Sequence, residues 1–297
     1  MLYGIDVSSN QPADICSRVS HDFAIVKMSG NPQGYAWDYV NPYARRQAAD
    51  AYRKHGRLGL YHFTYGLKDA KTEAAFFVGK VKELGYLGKA VLVVDYEAEA
   101  VERGRRWVST FAAEVKRLAG YAPVIYASGS VIVEQRLFAL GYPIWCANYS
   151  KGYQIIRGYD TSGCKIYGGC EEAVMWQYTS QGILPGYGGG LDCDVFFGDA
   201  SDWAALHARE KTPAEKAAEA GYTAGTYEVT AKRARARARR AVASKACGTF
   251  KRGRKVRLGY LRMNRHGNVW GKVVQGRHKG RYVVVRYAGR ERLRKVT

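Results

Sequence analysis

Eight short apolar runs, spaced by helical patterns, dominate the first two-thirds of this chain and leave few folds open to it. The runs are Leu2–Val7, Phe23–Met28, Leu58–Phe63, Ala90–Asp95, Pro123–Ala127, Pro143–Ala147, Ala173–Tyr178 and Leu191–Phe197. Several, such as Val91-Leu92-Val93-Val94, are apolar without interruption. That texture belongs to strands covered on both faces, as in a parallel sheet. Helical patterns fill the gaps: a short turn at Ala13–Val19, then Asn41–His55, Asp69–Leu84, Arg103–Leu118 and Ser130–Leu140. Asn41-Pro42 predicts an N-cap followed by a first-turn proline, and glycines 56, 85, 120 and 141 predict the stops. Five strand–helix units are thus followed by three strands with little helix between them. The expected fold is α/β: a modified TIM-type barrel of five βα units and then three strands. An open doubly wound sheet is the competitor, but no glycine-rich phosphate loop follows the first strand.

Charge divides the chain in two. Of 47 Lys and Arg against 26 Asp and Glu, residues 1–207 hold 21 of each sign, and residues 208–297 hold 26 basic against 5 acidic side chains. The whole excess of +21 therefore lies in the last 90 residues. We read 1–207 as the barrel, 208–224 as a polar linker, and 225–297 as a small all-β barrel or sandwich. Its strands are expected at Thr226–Thr230, Lys255–Tyr260, Val269–Val274 and Arg281–Tyr287. Hydrophobic residues at 47% exclude wholesale disorder. No apolar stretch is long enough for a transmembrane segment, and Met1-Leu2-Tyr3-Gly4-Ile5-Asp6 lacks the basic and apolar regions of a signal peptide. Six cysteines without a CxxC pair predict buried free thiols; Cys164 and Cys170 are the pair that could close a small loop.

The chemistry concentrates at one rim. Asp95-Tyr96-Glu97 ends the fourth expected strand, and alternate strand residues face the same way, so both carboxylates point into one mouth. Asp6 ends the first strand and Asp192 begins the eighth, which in a closed barrel is its neighbour. Barrel enzymes work at the C-terminal rim, and clustered carboxylates raise the pKa of one member into the range of a general acid. Paired carboxylates of this kind are the usual equipment for cleaving a glycosidic bond. Aromatics surround the rim: Tyr61, Phe63, Tyr65, Tyr96, Tyr126, Trp145, Tyr149, Trp176 and Tyr178. Such rings offer flat partners to the C–H faces of a sugar. Core filling is the competing reading for Phe63 and about half the tyrosines. An all-oxygen metal site is the competing reading for the carboxylates, with His62 the single histidine near a strand end; neither metal nor cofactor is expected.

Six motifs in order carry a family resemblance: Gly4-Ile5-Asp6-Val7-Ser8, Gly59-Leu60-Tyr61-His62-Phe63, Val93-Val94-Asp95-Tyr96-Glu97, Trp145-Cys146-Ala147-Asn148-Tyr149, Trp176-Gln177-Tyr178 and Leu191-Asp192-Cys193-Asp194-Val195-Phe196. Over about residues 1–200 the chain resembles glycoside hydrolase family 25, the Chalaropsis-type lysozymes found in many phage endolysins. The resemblance implies a peptidoglycan hydrolase, a muramidase acting on the β-1,4 bond between N-acetylmuramic acid and N-acetylglucosamine. It implies Glu97 as general acid/base, Asp95 as the residue that orients the substrate acetamido group or stabilises the transition state, and Asp6 and Asp192 as electrostatic support. The tyrosines, Phe63, Trp145, Trp176 and Gln177 would line the sugar site. It further implies synthesis in a host bacterial cytoplasm and action on the wall after release, with no stable protein partner. One departure stands out. Many members carry Thr-Glu-Gly after the second strand, whereas this chain reads Lys27-Met28-Ser29-Gly30-Asn31, so a contact made there is absent or replaced. Which of Asp192 and Asp194 faces the cleft stays open, the motif favouring Asp192.

Residues 225–297 hold 23 Lys and Arg against two acidic residues, and Arg233, Arg235, Arg237 and Arg239 recur with period two. Gly225-Thr226-Tyr227-Glu228-Val229-Thr230, Gly248-Thr249-Phe250 and Trp270-Gly271-Lys272-Val273 resemble a bacterial SH3-like wall-binding domain, with Gly280–Tyr287 as its closing strand. Such a cationic module would be drawn to anionic wall polymers. The alternative from a different class is a non-catalytic wall-binding or nucleic-acid-binding protein on a barrel scaffold. Retention of four rim carboxylates argues against it.

Overall fold

A computed structural model describes residues 1–30, 38–209 and 211–296. Asn31 of the departing motif and Glu210 lie outside the described residues. The chain forms two compact units, Met1–Arg209 and Glu210–Thr297.

In the first unit the strands are β1 (Leu2–Val7), β2 (Phe23–Ser29), β3 (Leu58–Phe63), β4 (Ala90–Asp95), β5 (Val124–Ser128), β6 (Ile144–Ala147), β7 (Ile156–Arg157), β8 (Met175–Ile183) and β9 (Leu191–Phe196). Hydrogen bonds run in the order β6-β5-β4-β3-β2-β1-β9-β8, and a β6–β8 pairing closes the ring. The result is an eight-stranded barrel with the unforeseen two-residue β7 appended to β8. Seven barrel strands run parallel; β9 alone is antiparallel to both neighbours. Its first residues therefore share a rim with the last residues of the others, and Asp192 pairs directly with Asp6.

The helices are α1 (Ile15–Arg18), α2 (Ala44–His55), α3 (Ala70–Leu84), α4 (Glu99–Glu102), α5 (Arg105–Ala119), α6 (Gly129–Glu134) and α7 (Ala200–Leu206). Gly56, Gly85 and Gly120 end α2, α3 and α5 in the left-handed conformation that glycine adopts without steric cost. Asp69 caps α3 by accepting the N–H groups of Lys71 and Thr72. Two expectations need correction. Asn41 is not the N-cap residue of α2, which is Tyr43: the helix starts three residues after Asn41, whose Oδ1 accepts the Tyr43 N–H at 2.9 Å while its buried amide donates to the Lys27 carbonyl and to Gln47 Oε1. The helix expected over 130–140 breaks after Glu134, where Arg136 turns to φ +52°, and only a 3-10 turn, Leu137–Leu140, follows.

Period-two alternation sorts the strands into two apolar layers. Phe23, Ile25, Val91, Val93, Val124, Trp145, Met175 and Phe196 fill the barrel interior. Ala24, Val26, Leu58, Leu60, Leu92, Val94 and Ile125 pack outward against the helices. At Gly4 a Cβ would stand 2.5 Å from the Phe23 ring, so glycine is what lets that ring fill the barrel. Trp203 of α7 closes one end, its ring 4.7 Å from Phe23 and 5.3 Å from Phe196. All six cysteines are free, so the 164–170 loop is not closed by a disulfide.

The second unit opens with α8 (Pro213–Glu219), which falls in the segment read as linker. Thr212 and Glu215 form a capping box, and Ala217 is fully buried in this unit's core. An Ala/Glu/Lys segment read as solvated is thus a packed helix. Strands β10 (Gly225–Val229), β11 (Arg233–Arg237), β12 (Ala246–Lys251), β13 (Lys255–Met263), β14 (Val269–Val273), β15 (Tyr282–Tyr287), β16 (Arg290–Glu291) and β17 (Leu293–Val296) follow. The sheet order is β12-β11-β15-β14-β13-β10-β17 and every pairing is antiparallel. The segment expected to close the module, Gly280–Tyr287, instead lies inside the sheet between β11 and β14. No helix among the described residues is long and apolar enough to cross a membrane.

Candidate active site

A cavity of about 340 Å³ opens at the rim where β1, β3, β4, β5 and β6 end and β9 begins. Asp6, Asp95, Glu97 and Asp192 all line it, together with Tyr61, Phe63, Tyr126, Trp145, Tyr149 and Gln177. The strand parity explains the set. Val91, Val93 and Asp95 share the inward face of β4, and Glu97 continues that parity past the strand end. The Asp95 carbonyl is held by the Thr64 N–H at 2.9 Å and the Thr64 hydroxyl at 2.7 Å. Its carboxylate oxygen Oδ1 is buried with no hydrogen-bond partner, the kind of orphaned polar atom that native structures rarely leave unexplained.

Gln177 is the hub of the opposite wall. Its Nε2 donates to Asp6 Oδ2 at 2.5 Å, and its Oε1 accepts the Tyr126 hydroxyl at 2.7 Å and the Tyr149 hydroxyl at 2.6 Å. One amide thereby fixes an acid and two aromatic walls. Asp192 lines the cleft, whereas Asp194 lies fully buried, accepts the Trp145 indole N–H at 3.1 Å and shares a hydrogen bond with Asp6. The motif's preference for Asp192 over Asp194 as the cleft residue agrees with this placement.

Electrostatics follow from packing so many acids into a partly dry mouth. Burial pushes Asp6 well above the usual carboxylate range, and the Asp192 charge adds to it. Burial does the same to Asp95, with the Glu97 charge next and Lys27 opposing. Glu97 is raised by burial, again with Lys27 opposing. Asp192 is pushed up to about 7 by burial and by Glu97. The site therefore holds protons near neutrality, as a general acid must.

Sequence reasoning missed Lys27 as a site residue. Only 8% exposed, it enters the cleft from β2, with Nζ 4.8 Å from the Phe63 ring centre and 5.9 Å from that of Tyr61. Burial lowers its pKa, and the charges of Asp95 and Glu97 resist that fall. The signal was a lone lysine inside an apolar strand, where an unpaired charge is too costly to keep. Ser8, Ser9 and Asn10 also line the cavity from the turn after β1.

Four expected rim aromatics do not line it. Tyr96 and Trp176 have the opposite parity to Asp95 and Gln177 and point out of the barrel. The Tyr96 hydroxyl lies 3.2 Å from the Val101 carbonyl and 3.0 Å from Gln135 Oε1, and the Trp176 indole donates to the Asn148 carbonyl at 3.1 Å. Tyr178 shares that outward layer. Tyr65 lies beyond the end of β3, where its N–H donates to Glu73 at 2.6 Å. His62 also faces outward, between Ser29 at 2.9 Å and Glu73 at 3.2 Å, and burial keeps its pKa low. Its ring belongs to the barrel–helix layer, and Ser29 of the departing motif is its partner.

Four carboxylates and aromatic walls thus share one cleft at the C-terminal rim of an eight-stranded barrel, where barrel enzymes place their chemistry. The sequence profile of glycosyl hydrolases family 25 matches residues 5–187, and the chain belongs to that family. The fold is similar to a bacterial lysozyme from Streptomyces coelicolor, with TM-score 0.53 and 21% identity over 69% of this chain and 96% of that one. It is similar also to the catalytic domain of endolysin ply40 from bacteriophage P40 of Listeria monocytogenes, with TM-score 0.56 and 22% identity over 70% and 97%. The uncharacterized protein YegX of Escherichia coli strain K12 is 28% identical over 213 residues, 68% of this chain and 71% of its own.

Proposed function

We propose that the protein is a muramidase that cleaves the β-1,4 bond between N-acetylmuramic acid and N-acetylglucosamine in peptidoglycan. The observation that carries this reading is the pairing of Glu97, which burial keeps protonated to higher pH, with the buried, partnerless Asp95 oxygen in one aromatic-walled cleft. Glu97 donates its proton to the leaving glycosidic oxygen and then takes one from the incoming water. Asp95 accepts the N–H of the substrate acetamido group or stabilises the positive charge that develops on the sugar. Asp192 supports the pair electrostatically, its carboxylate charge growing as pH rises through about 7, and Asp6 is held beside it by Gln177. Tyr61, Tyr126, Trp145 and Tyr149 stack on the glycan.

The basic second unit acts in this reading as an SH3-like tether to anionic wall polymers, and the whole as an endolysin or related lysin that reaches its wall after release. Glu97→Gln tests the chemistry: it removes a transferable proton and should lower hydrolysis by about 10²–10⁴-fold with the fold intact. Activity within about threefold of the parent removes Glu97 from the mechanism. Mass spectrometry of the digest tests the bond. New reducing ends on muramic acid are expected, and glucosamine ends or freed amines would overturn the assignment.

A further inference from the structure

The second unit carries a cavity of about 350 Å³ of its own, on the outer face of the β11–β15 pair. Within β11, Ala234 and Ala236 turn into the core while Arg233 and Arg235 are exposed. Arg233, Arg235 and Arg237 thus stand in one row at about 7 Å steps, twice the antiparallel rise per residue. Lys232 and Arg292 border the same cavity, and Val242, Val284 and Tyr287 give it an apolar wall. No carboxylate lines it, and among the described residues none of its five cations is in an ion pair. Arg237 is already oriented, its guanidinium donating to the Ser244 carbonyl at 2.6 Å. Five like charges drawn into one concavity raise each other's energy until an anion arrives.

We propose that this cavity is a binding site for a wall-borne polyol phosphate, a chain of phosphodiester-linked polyols; the assignment rests on the wall-hydrolase reading above. The chemistry matches in spacing. In a chain of glycerol phosphate six backbone bonds of about 1.5 Å separate successive phosphorus atoms, so the extended repeat, about 7 Å, matches the arginine row. A single-stranded nucleic acid has a similar phosphate spacing but draws much of its affinity from bases stacked on aromatic platforms. The cavity offers one aromatic side chain, Tyr287, and a polymer without bases needs no more.

The test uses the full chain and fluorescence anisotropy with synthetic poly(glycerol phosphate) of about ten repeats, beside an oligothymidylate of equal phosphate number. Three phosphates engaged at a slope of about 0.7 each predict a fall in affinity of about 20-fold between about 50 and 200 mM salt. The exposed double substitution Arg233→Ser/Arg235→Ser should weaken binding about 30-fold at low salt and reduce the salt slope by about 1.4. Arg265→Ser/Lys279→Ser removes the same charge from exposed residues outside the cavity and should change affinity less than fivefold. Equal losses in the two double variants would overturn the site, because bulk charge would then suffice. Oligothymidylate bound as tightly as the polyol phosphate would overturn the ligand, as would absence of polyol phosphate binding. Cleavage of soluble glycan fragments, followed in the same preparations, reports separately on the muramidase reading.

Discussion

Asp192→Asn tests the electrostatic account of the cleft more sharply than any loss of activity. The carboxyl is pushed from its ordinary 3.8 up to about 7 by burial and by the Glu97 charge. A carboxyl that ionises less readily in the folded chain than in the unfolded chain stabilises the fold fully below 3.8, and that stability is lost as pH rises through about 7. At about 1.4 kcal/mol per pH unit, the full interval corresponds to about 4 kcal/mol. Asp192 sits at the wet edge of the cleft, where water screens part of this, and half, about 2 kcal/mol, is the expected cost above neutrality. The asparagine has no charge to desolvate, so it should raise Tm by about 4–8 °C near pH 8 for a unit of this size. The gain should shrink toward zero near pH 4. Differential scanning calorimetry of both proteins across that range reads the effect directly, while hydrolysis should fall because the field over the reacting sugar is weakened. A Tm change independent of pH, or a lower Tm for the asparagine near pH 8, would refute the burial argument for the whole acid cluster.

Three further outcomes follow from the same geometry. Lys27→Met removes the charge that opposes the upward shifts of Asp95 and Glu97, so the alkaline limb of the pH–rate profile should move to higher pH; an unmoved or acid-shifted limb would place Lys27 outside the proton network. Tyr96→Phe deletes a hydroxyl on the outer layer, so thermal unfolding should show a loss of about 1 kcal/mol with kcat unchanged; a large fall in kcat would restore Tyr96 to the cleft. A chain ending at Arg209 should cleave soluble glycan fragments at the parent rate yet lose intact-wall lysis, and the parent's wall lysis should fall with added salt; salt-indifferent wall lysis by both would show that the basic unit is no tether.

Much of the barrel was legible because its strands are bounded sharply. Leu2–Val7, Leu58–Phe63 and Ala90–Asp95 occupy the residues that their apolar runs predict. Each is an apolar stretch closed by a polar residue or a turn, and a covered parallel strand needs no more specification than that. The four carboxylates were legible because they stand at strand ends. The aromatics were not, because which side of a closed wall a ring faces depends on parity relative to Asp95. That parity sends Tyr96 and Trp176 outward and Tyr126 and Trp145 inward. Lys27 was hidden by its neighbours, since Phe23–Ser29 reads as one covered strand until the partners of the lysine are known. In the second unit, Arg233–Arg237 was passed over because its alternating arginines hide the strand signal, and Ala246–Lys251 because its small residues Ala246, Cys247 and Gly248 show no apolar alternation. The first pattern emerges only once the alanines between the arginines are seen to be the buried members.

The antiparallel β9 has a consequence for when the protein becomes competent. Because that strand enters the ring from the rim side, the acid it brings to Asp6 is among the last barrel residues to be synthesised, while Asp6 is among the first. Gln177, which orients Asp6, lies 171 residues away from it. A chain growing from its N-terminus therefore carries Asp6, Asp95 and Glu97 for most of its synthesis without their electrostatic frame. The frame is completed only by ring closure, a contact of very high sequence separation and hence a late and slow one. A chain that stops before β9 therefore lacks both Asp192 and the strand that joins β1 to β8, so its rim is open and one carboxylate short.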